Sequence, residues 1–326
     1  DSSDGNDTFD LVIIGAGPGG YVAAIRAAQL GMRVAVVEDE ELGGVCLNIG
    51  CIPTKTLLSS ALLVNEMKDA GKHGISADNL SFDLGPAHER SGKVAAQMRR
   101  GVGHLFKKND VTHVEGYGRL SGKGKVEVET GDGTRTLSAD HVIVATGSRP
   151  KNLPFLEIDE DRVWSSTGAL RQEEAPESLF IVGAGAIGME FADIYDAYGS
   201  KVTIVEALER ILPLEDAEVS KFMERTYDKR GMDIFTSAKL QSAEVKDDGV
   251  QVSFEDADGE KHEMEVDRVL LAVGRQPNTE DVGLDAVGLE TDGGGFIPVD
   301  ERMRTEVEGV YAIGDCAGNQ LLAHKA

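Results

Sequence analysis

The apolar residues of the chain fall into short continuous runs closed by glycine, the pattern expected of strands buried on both faces. Residues 9–14 form one such run and end in Gly15-Ala16-Gly17-Pro18-Gly19-Gly20. An alanine-rich stretch of helical character follows over 21–30, and a second apolar run, 33–37, closes on Glu38. The arrangement recurs from 179–182 through Gly183-Ala184-Gly185-Ala186-Ile187-Gly188, a helix reaching 198, and a run at 201–205 closed by Glu206. Each is a βαβ unit with a dinucleotide-binding fingerprint. The first glycine permits a tight turn, the second lets backbone amides approach a pyrophosphate, and the third lets the helix pack close to its strand. The helix N-terminus then offers unpaired N–H groups and the positive end of its dipole to the phosphates. One glycine-rich turn is weak evidence, because such turns are common. Two, each flanked by strands and each followed by a carboxylate at the expected distance, are strong.

Both units also end alike. Residues 141–150 read as a strand closing on Ala145-Thr146-Gly147-Ser148-Arg149-Pro150, and 269–277 as a strand closing on Ala272-Val273-Gly274-Arg275-Gln276-Pro277. The expected fold is therefore α/β, with two homologous Rossmann-like dinucleotide-binding domains. A glutamate at the end of the second strand accepts hydrogen bonds from ribose hydroxyls and repels a 2′-phosphate. Beside Glu206, Ala207 and Leu208 supply no compensating cation, and Arg210 lies beyond the usual position. The second site is expected to prefer NAD to NADP, and Glu38 suits the adenosine of FAD.

Composition narrows the partners. With 57 acidic against 33 basic residues the net charge is −24, which would repel nucleic acid and anionic membranes. Runs such as Glu38-Asp39-Glu40-Glu41, Asp159-Glu160-Asp161 and Glu173-Glu174 favour a high-salt cytoplasm over an ordinary acidic cytosolic protein. At 1 M salt charges are screened within roughly 3 Å, so a dense acidic surface is tolerable. No apolar run is expected to reach the ~20 residues that span a bilayer. Residues 1–7 read as a polar tail and not as a signal peptide, so a soluble, cytoplasmic protein is expected.

Three cysteines do not make a secreted disulfide scaffold. Cys46 and Cys51 are separated by Leu47, Asn48, Ile49 and Gly50, and the turn formers Asn48 and Gly50 can bring the sulfurs together. Pro53 suits the first turn of a helix running on to 67, which puts Cys51 at a helix N-terminus where the dipole favours thiolate. Lys55 lies one turn on, on the same helical face. Half a zinc site is an alternative, but the remaining cysteine, Cys316, has no Cys-His cluster beside it, and no metal is expected. Plain packing cysteines would not explain the proline-started helix with Lys55 on the cysteine face. A redox-active pair is favoured, with Cys316 as a small packing residue.

The 43–55 motif, both fingerprints and Ala312-Ile313-Gly314-Asp315 resemble the dihydrolipoamide dehydrogenases among the pyridine nucleotide–disulfide oxidoreductases. The resemblance covers nearly the whole chain. The wording from Cys46 to Pro53 fits these better than glutathione or mercuric reductases, although Thr54 replaces a more usual serine. It implies that Cys46 is the interchange thiol that attacks the substrate's disulfide. Cys51 would lie against the flavin as the charge-transfer thiolate, and Lys55 would approach flavin N5 with Glu190 as its ion-pair partner. Glu190 as a solvated helix residue is the bland alternative. Gly15, Gly17, Pro18, Gly19, Gly20, Glu38, Gly44, Gly118, Thr146 and Gly147 would hold FAD, with Asp315 on its ribityl chain. Residues 321–323 would begin a helix facing the flavin, bringing in Leu322 and Ala323. Gly183, Gly185, Ala186, Ile187, Gly188, Glu206 and Gly274, with Leu240 more weakly, would line the NAD site.

The domains implied are an FAD domain over 1–150, an NAD domain over 151–278, and a return segment over 279–326. The return supplies Asp315 and so makes the first domain discontinuous. The family's C-terminal dimerisation domain, with its His-Glu acid–base pair, is expected to be absent, and His324 belongs to the flavin-facing helix motif instead. The implied reaction oxidises dihydrolipoyl groups of 2-oxoacid dehydrogenase or glycine-cleavage complexes and reduces NAD, with a homodimer as the whole protein. Alternatives are a flavoprotein reductase of a low-molecular-weight disulfide, or a flavin-binding subunit without turnover.

Overall fold

The computed structural model describes residues 7–326, so the expected polar tail lies outside the described residues except for Asp7, which pairs with Arg135. The chain divides into two compact units, one of residues 1–51, 95–149 and 275–326, the other of 52–94 and 150–274.

In the first unit the strand Thr8–Ile14 sits at the centre of a parallel sheet, between Val34–Glu38 and the last part of Gly133–Val144. Thr112–Glu115 extends the sheet beyond the former and Val310–Ala312 beyond the latter, both parallel. The strand Gly133–Val144 changes partners along its length. Its first half pairs antiparallel with Lys125–Thr130, which pairs in turn with Tyr117–Gly122. Val12, Ile14, Ala35, Val37, Val142 and Val144 fill the core between these layers, as continuous apolar runs require.

The second unit repeats the plan. Ser178–Val182 is central, between Lys201–Val205 and Arg268–Leu271, with Asp233–Phe235 and Val163–Trp164 at the edges, all parallel. Its antiparallel ribbon is Lys239–Val245, Val250–Glu255 and Lys261–Val266. Val250, Val252 and Phe254 alternate into the core, the period-2 signature of a sheet with one wet face.

Two expectations about organisation are corrected. Residues 52–94, expected in the first domain, belong to the second unit: Leu57, Ala61, Val64, Leu84 and Ala87 join the core of Trp164, Leu179 and Tyr195. A helix's apolar stripe says that it packs, but not on which sheet. The return begins at 275 and not at 279. The stretch Gly44–Lys68 is also, by length and composition alone, apolar enough to cross a bilayer, which the sequence reading did not anticipate. It is two helices, Gly44–Asn48 and Cys51–Lys68, and the longer one buries Leu57, Ala61 and Val64 in a protein core.

Candidate active site and nucleotide cradles

Gly15 ends the first strand at φ +104°, donates its N–H to Val37 O at 2.8 Å, and has no room for a side chain, since a Cβ would lie 2.3 Å from Ala145 O. At Gly20 a Cβ would fall 1.9 Å from Gly15 O, so the helix Pro18–Gln29 rests directly on the turn. Gly17, the N-cap of that helix, differs: a Cβ there would meet nothing within 4 Å. The N-cap of the helix thus borders open space, with Pro18 and Gly19 opening its first turn and a Cβ on Gly19 meeting Ile313 at 3.2 Å, and the space at Gly17 fits a pyrophosphate. Glu38 forms the rim. Its Oε2 accepts from Ala16 N–H at 2.7 Å and its Oε1 from Glu40 N–H at 3.1 Å. Burial pushes its pKa up, and those two backbone bonds oppose the shift. Gly118 lies under the rim, where a Cβ would crowd Val37 Cγ1 at 2.9 Å and Ile14 Cγ2 at 3.2 Å.

The second cradle reproduces these contacts. Gly183 has φ +101°, donates to Val205 O at 2.8 Å, and could not carry a Cβ 2.5 Å from Ala272 O. Gly188 leans on Gly183 O as Gly20 leans on Gly15 O, while a Cβ on the N-cap Gly185 would again meet nothing within 4 Å. Ala186 and Ile187 start the helix Ala186–Ala197. Glu206 is 7% exposed; its Oε2 accepts from Ala184 N–H at 2.7 Å and its Oε1 from Leu208 N–H at 2.8 Å. Arg210 donates to the carbonyls of Pro213 at 3.0 Å and Glu215 at 3.3 Å. Gly274 has φ +113° and accepts from Lys151 N–H. Leu240 sits in the antiparallel ribbon opposite Phe254, packed on the core of the unit.

Cys46 and Cys51 form a disulfide, with Cα atoms 4.6 Å apart. Cys46 is inside the short helix Gly44–Asn48 and Cys51 is the first residue of Cys51–Lys68. The cradle holds this turn in place. Gly43 donates its N–H to Ala16 O at 2.9 Å, and Gly44, at φ +56°, packs so close that a Cβ would lie 2.6 Å from Gly17 Cα. Asn48 closes the loop by donating Nδ2 to the carbonyls of Leu42 at 3.1 Å and Gly44 at 3.0 Å, and Arg99 donates to Asn48 Oδ1 at 3.2 Å. Asn48 was expected as a turn former, and its side chain makes the turn; Arg99, 51 residues away, carried no signal in the sequence. Lys55 Nζ lies 2.7 Å from Glu190 Oε1, the expected pair, with the lysine 61% and the glutamate 27% exposed. Pairs this open add about 0–1 kcal/mol to stability. Cys316 is fully buried, its Sγ 3.2 Å from Ile313 O and 3.4 Å from Val144 O, and burial pushes its pKa up.

The segment facing Gly19 and Gly314 corrects another expectation. Residues 321–323 do not begin a helix; Lys325 N–H and Ala326 N–H both bond to Leu322 O, which makes a single turn with Leu322 largely exposed and Ala323 within it. Thr146 and Gly147, by contrast, are tightly held. Thr146 Oγ1 donates to Asn278 O at 2.5 Å, Asn278 Nδ2 donates to Thr146 O at 3.0 Å, and Asn278 N–H donates to Gly147 O at 3.0 Å. Asp315, in the turn Gly314–Ala317, accepts from the Ser148 hydroxyl, and Arg275 donates to the same hydroxyl. The sequence reading quoted Ser148 and Arg275 as part of the repeat but gave them no role.

The sequence profile described as pyridine nucleotide-disulphide oxidoreductase matches residues 9–326. The chain is 45% identical over 321 residues to the dihydrolipoyl dehydrogenase of Zymomonas mobilis, covering 98% of this chain and 69% of that protein. It is 44% identical to the mitochondrial dihydrolipoyl dehydrogenase of Pisum sativum, covering 99% and 65%, and 43% identical to a leghemoglobin reductase of Glycine max, covering 99% and 62%. The chain thus spans roughly two thirds of the length of these relatives. The crystal structure of LpdA from Mycobacterium tuberculosis superposes with a TM-score of 0.89 at 32% identity, over 97% of this chain and 69% of that one. The flavoprotein disulfide reductase RclA from Escherichia coli, in its Cu(II) complex, gives 0.86 at 29% identity, over 98% and 68%. With two glycine cradles, a disulfide anchored to the first, and a family profile that matches nearly every residue, the chain belongs to the pyridine nucleotide-disulphide oxidoreductases.

Proposed function

We propose that the whole protein is a dihydrolipoyl dehydrogenase, passing two electrons from a protein-bound dihydrolipoyl dithiol through the Cys46–Cys51 disulfide and FAD to NAD. The observation that carries this is the disulfide itself, which hangs from the first cradle by the Gly43–Ala16 bond and ends on the N-terminus of an 18-residue helix. A substrate thiolate attacks Cys46 Sγ, forming a mixed disulfide and expelling Cys51 as thiolate. The second substrate thiolate attacks its own sulfur in that mixed disulfide, closing the lipoyl ring and releasing Cys46 as thiolate. The helix dipole stabilises the thiolate at Cys51 and so makes it the better leaving group. Bound FAD supplies a two-electron relay between the resulting dithiol and a nicotinamide. Gly17 would admit its pyrophosphate at the turn that Gly15 and Gly20 shape, Glu38 would hold its adenosine ribose and Asp315 its ribityl chain, while Gly185, in the turn shaped by Gly183 and Gly188, and Glu206 would do the same for NAD. Glu190 holds the Lys55 ammonium in place through the 2.7 Å ion pair. Homology to dihydrolipoyl dehydrogenases supports lipoyl domains of 2-oxoacid dehydrogenase complexes as partners, and a homodimer as the working form. The charge of −24 supports a high-salt cytoplasm.

The whole protein, purified with its flavin, is assayed for NAD reduction by dihydrolipoamide and for NADH oxidation by lipoamide, glutathione disulfide and ferric leghemoglobin. Lipoamide is expected to be the best acceptor, and Cys46→Ser is expected to abolish its turnover while leaving long-wavelength absorbance from a Cys51 thiolate. Faster turnover of a low-molecular-weight disulfide than of lipoamide would overturn the assignment.

A further inference from the structure

Ser148 and Arg275 occupy equivalent positions in the two repeats, one residue after Gly147 and Gly274, and they meet in the first unit. Arg275 donates Nε–H to Ser148 Oγ at 2.6 Å and Nη2–H to Ser148 O at 2.6 Å. Ser148 passes its own hydroxyl proton to Asp315 Oδ2, and Arg275 Nε lies 3.7 Å from that oxygen. The arginine side chain is only 12% exposed and the aspartate 22%. A guanidinium stays charged when buried and cannot accept a hydrogen bond, so it fixes the direction of both bonds. The serine oxygen accepts from the arginine N–H and donates its own O–H to the carboxylate. In this low-dielectric setting each bond polarises the next. The surrounding strands Ser148–Pro150 and Arg275–Pro277 pair with each other, which holds the two backbones side by side.

We propose that Arg275 is a positioning residue for FAD, acting through Ser148 to lock the carboxylate of Asp315 in the orientation that receives the ribityl chain. The relay occupies Oδ2 and leaves the other oxygen of Asp315 free for a hydroxyl. It also places a fixed positive charge 3.7 Å from the aspartate oxygen. This rests on the FAD reading of the first cradle.

The test uses the whole flavoprotein and measures the rate of FAD release, by recovery of free-flavin fluorescence, and the flavin midpoint potential. Asp315→Asn, Ser148→Ala, Arg275→Gln and Arg275→Lys are compared singly, and Arg275→Gln is also placed on Asp315→Asn. Hydrogen bonds to charged groups of this kind support an expectation of about tenfold faster FAD release for Ser148→Ala and for Arg275→Gln. On the Asp315→Asn background, Arg275→Gln is expected to add less than about twofold, because its route to the cofactor is already cut. Arg275→Gln is expected to shift the potential in the direction that Asp315→Asn does, and Arg275→Lys to restore only part of the retention, since it keeps the charge without the fork. Independent, multiplying effects of the two substitutions on FAD release would show a merely structural arginine and overturn the proposal. If Arg275→Gln does not fold, Ser148→Ala on Asp315→Asn gives the same decision. Unchanged FAD release in Asp315→Asn would overturn the FAD reading itself, a separate outcome.

Discussion

Both carboxylate oxygens of Glu206 are tied to backbone N–H groups, of Ala184 and of Leu208, so the charge cannot swing away from the rim of the second cradle. Each oxygen keeps a lone pair for a ribose hydroxyl, while a 2′-phosphate would meet a fixed negative charge. The nearest remedy, Arg210, is already committed to the carbonyls of Pro213 and Glu215. A like-charge clash in a partly buried site costs several kcal/mol, so NADH is expected to reduce the flavin about a hundredfold more efficiently than NADPH. Glu206→Arg is expected to shrink that ratio by at least about tenfold, chiefly by raising the NADPH rate. Stopped-flow reduction with both nucleotides measures it, and equal efficiency in the unmutated protein would sink the argument. The sequence carried this much unaided, because a carboxylate after a strand and an absence of nearby cations are both visible in one dimension. It did not carry the relay from Arg275 to Asp315, whose members stand 40 residues apart in the return and respectively 127 and 167 residues from Ser148.

At the scale of elements, the glycines of each fingerprint do two different jobs, and their surroundings separate them. A Cβ at Gly20 or Gly188 would strike backbone oxygen at 1.9 and 2.0 Å, whereas one at Gly17 or Gly185 would enter empty space. Gly20→Ala is therefore expected to lower stability by about 1–3 kcal/mol through forced separation of helix and strand. Gly17→Ala is expected to leave the unfolding midpoint within about 0.5 kcal/mol while weakening FAD retention, since its methyl takes the space of a phosphate. Gly185→Ala is expected to spare FAD and weaken NADH binding. Thermal unfolding, flavin content and NADH titration read these three outcomes, and loss of NADH binding in Gly17→Ala would mean the cradles are assigned to the wrong nucleotides. The fingerprints were legible because they are local: turn, helix start and strand end lie within thirty residues. The helix running on to 67 was legible, but its place was not, because Leu57, Ala61 and Val64 form a stripe that fits any apolar face and pack with Trp164, Leu179 and Tyr195.

Over the whole molecule the largest unspent quantity is charge. The excess of 57 acidic over 33 basic residues is carried by exposed side chains such as Asp39, Glu40 and Glu41, Asp159 and Asp161, and Glu173 and Glu174. Folding gathers these carboxylates into a smaller volume, so their mutual repulsion opposes the compact state. Raising salt from about 0.1 M to about 1 M shortens the screening length from ~10 Å to ~3 Å, less than the spacing between most surface charges. The ion pairs that salt would weaken are mostly solvent-exposed, such as Lys93–Glu89 and Lys123–Glu308, and each contributes about 0–1 kcal/mol. Repulsion therefore dominates the balance, and the unfolding temperature is expected to climb steadily with potassium chloride. Potassium sulfate at equal ionic strength provides the control, because sulfate also stabilises by exclusion from apolar surface. If screening is the cause, chloride alone raises the midpoint, and most of the rise comes below about 1 M, where the screening length changes fastest. A midpoint flat in chloride and rising only in sulfate would show that the acidic surface does not govern stability.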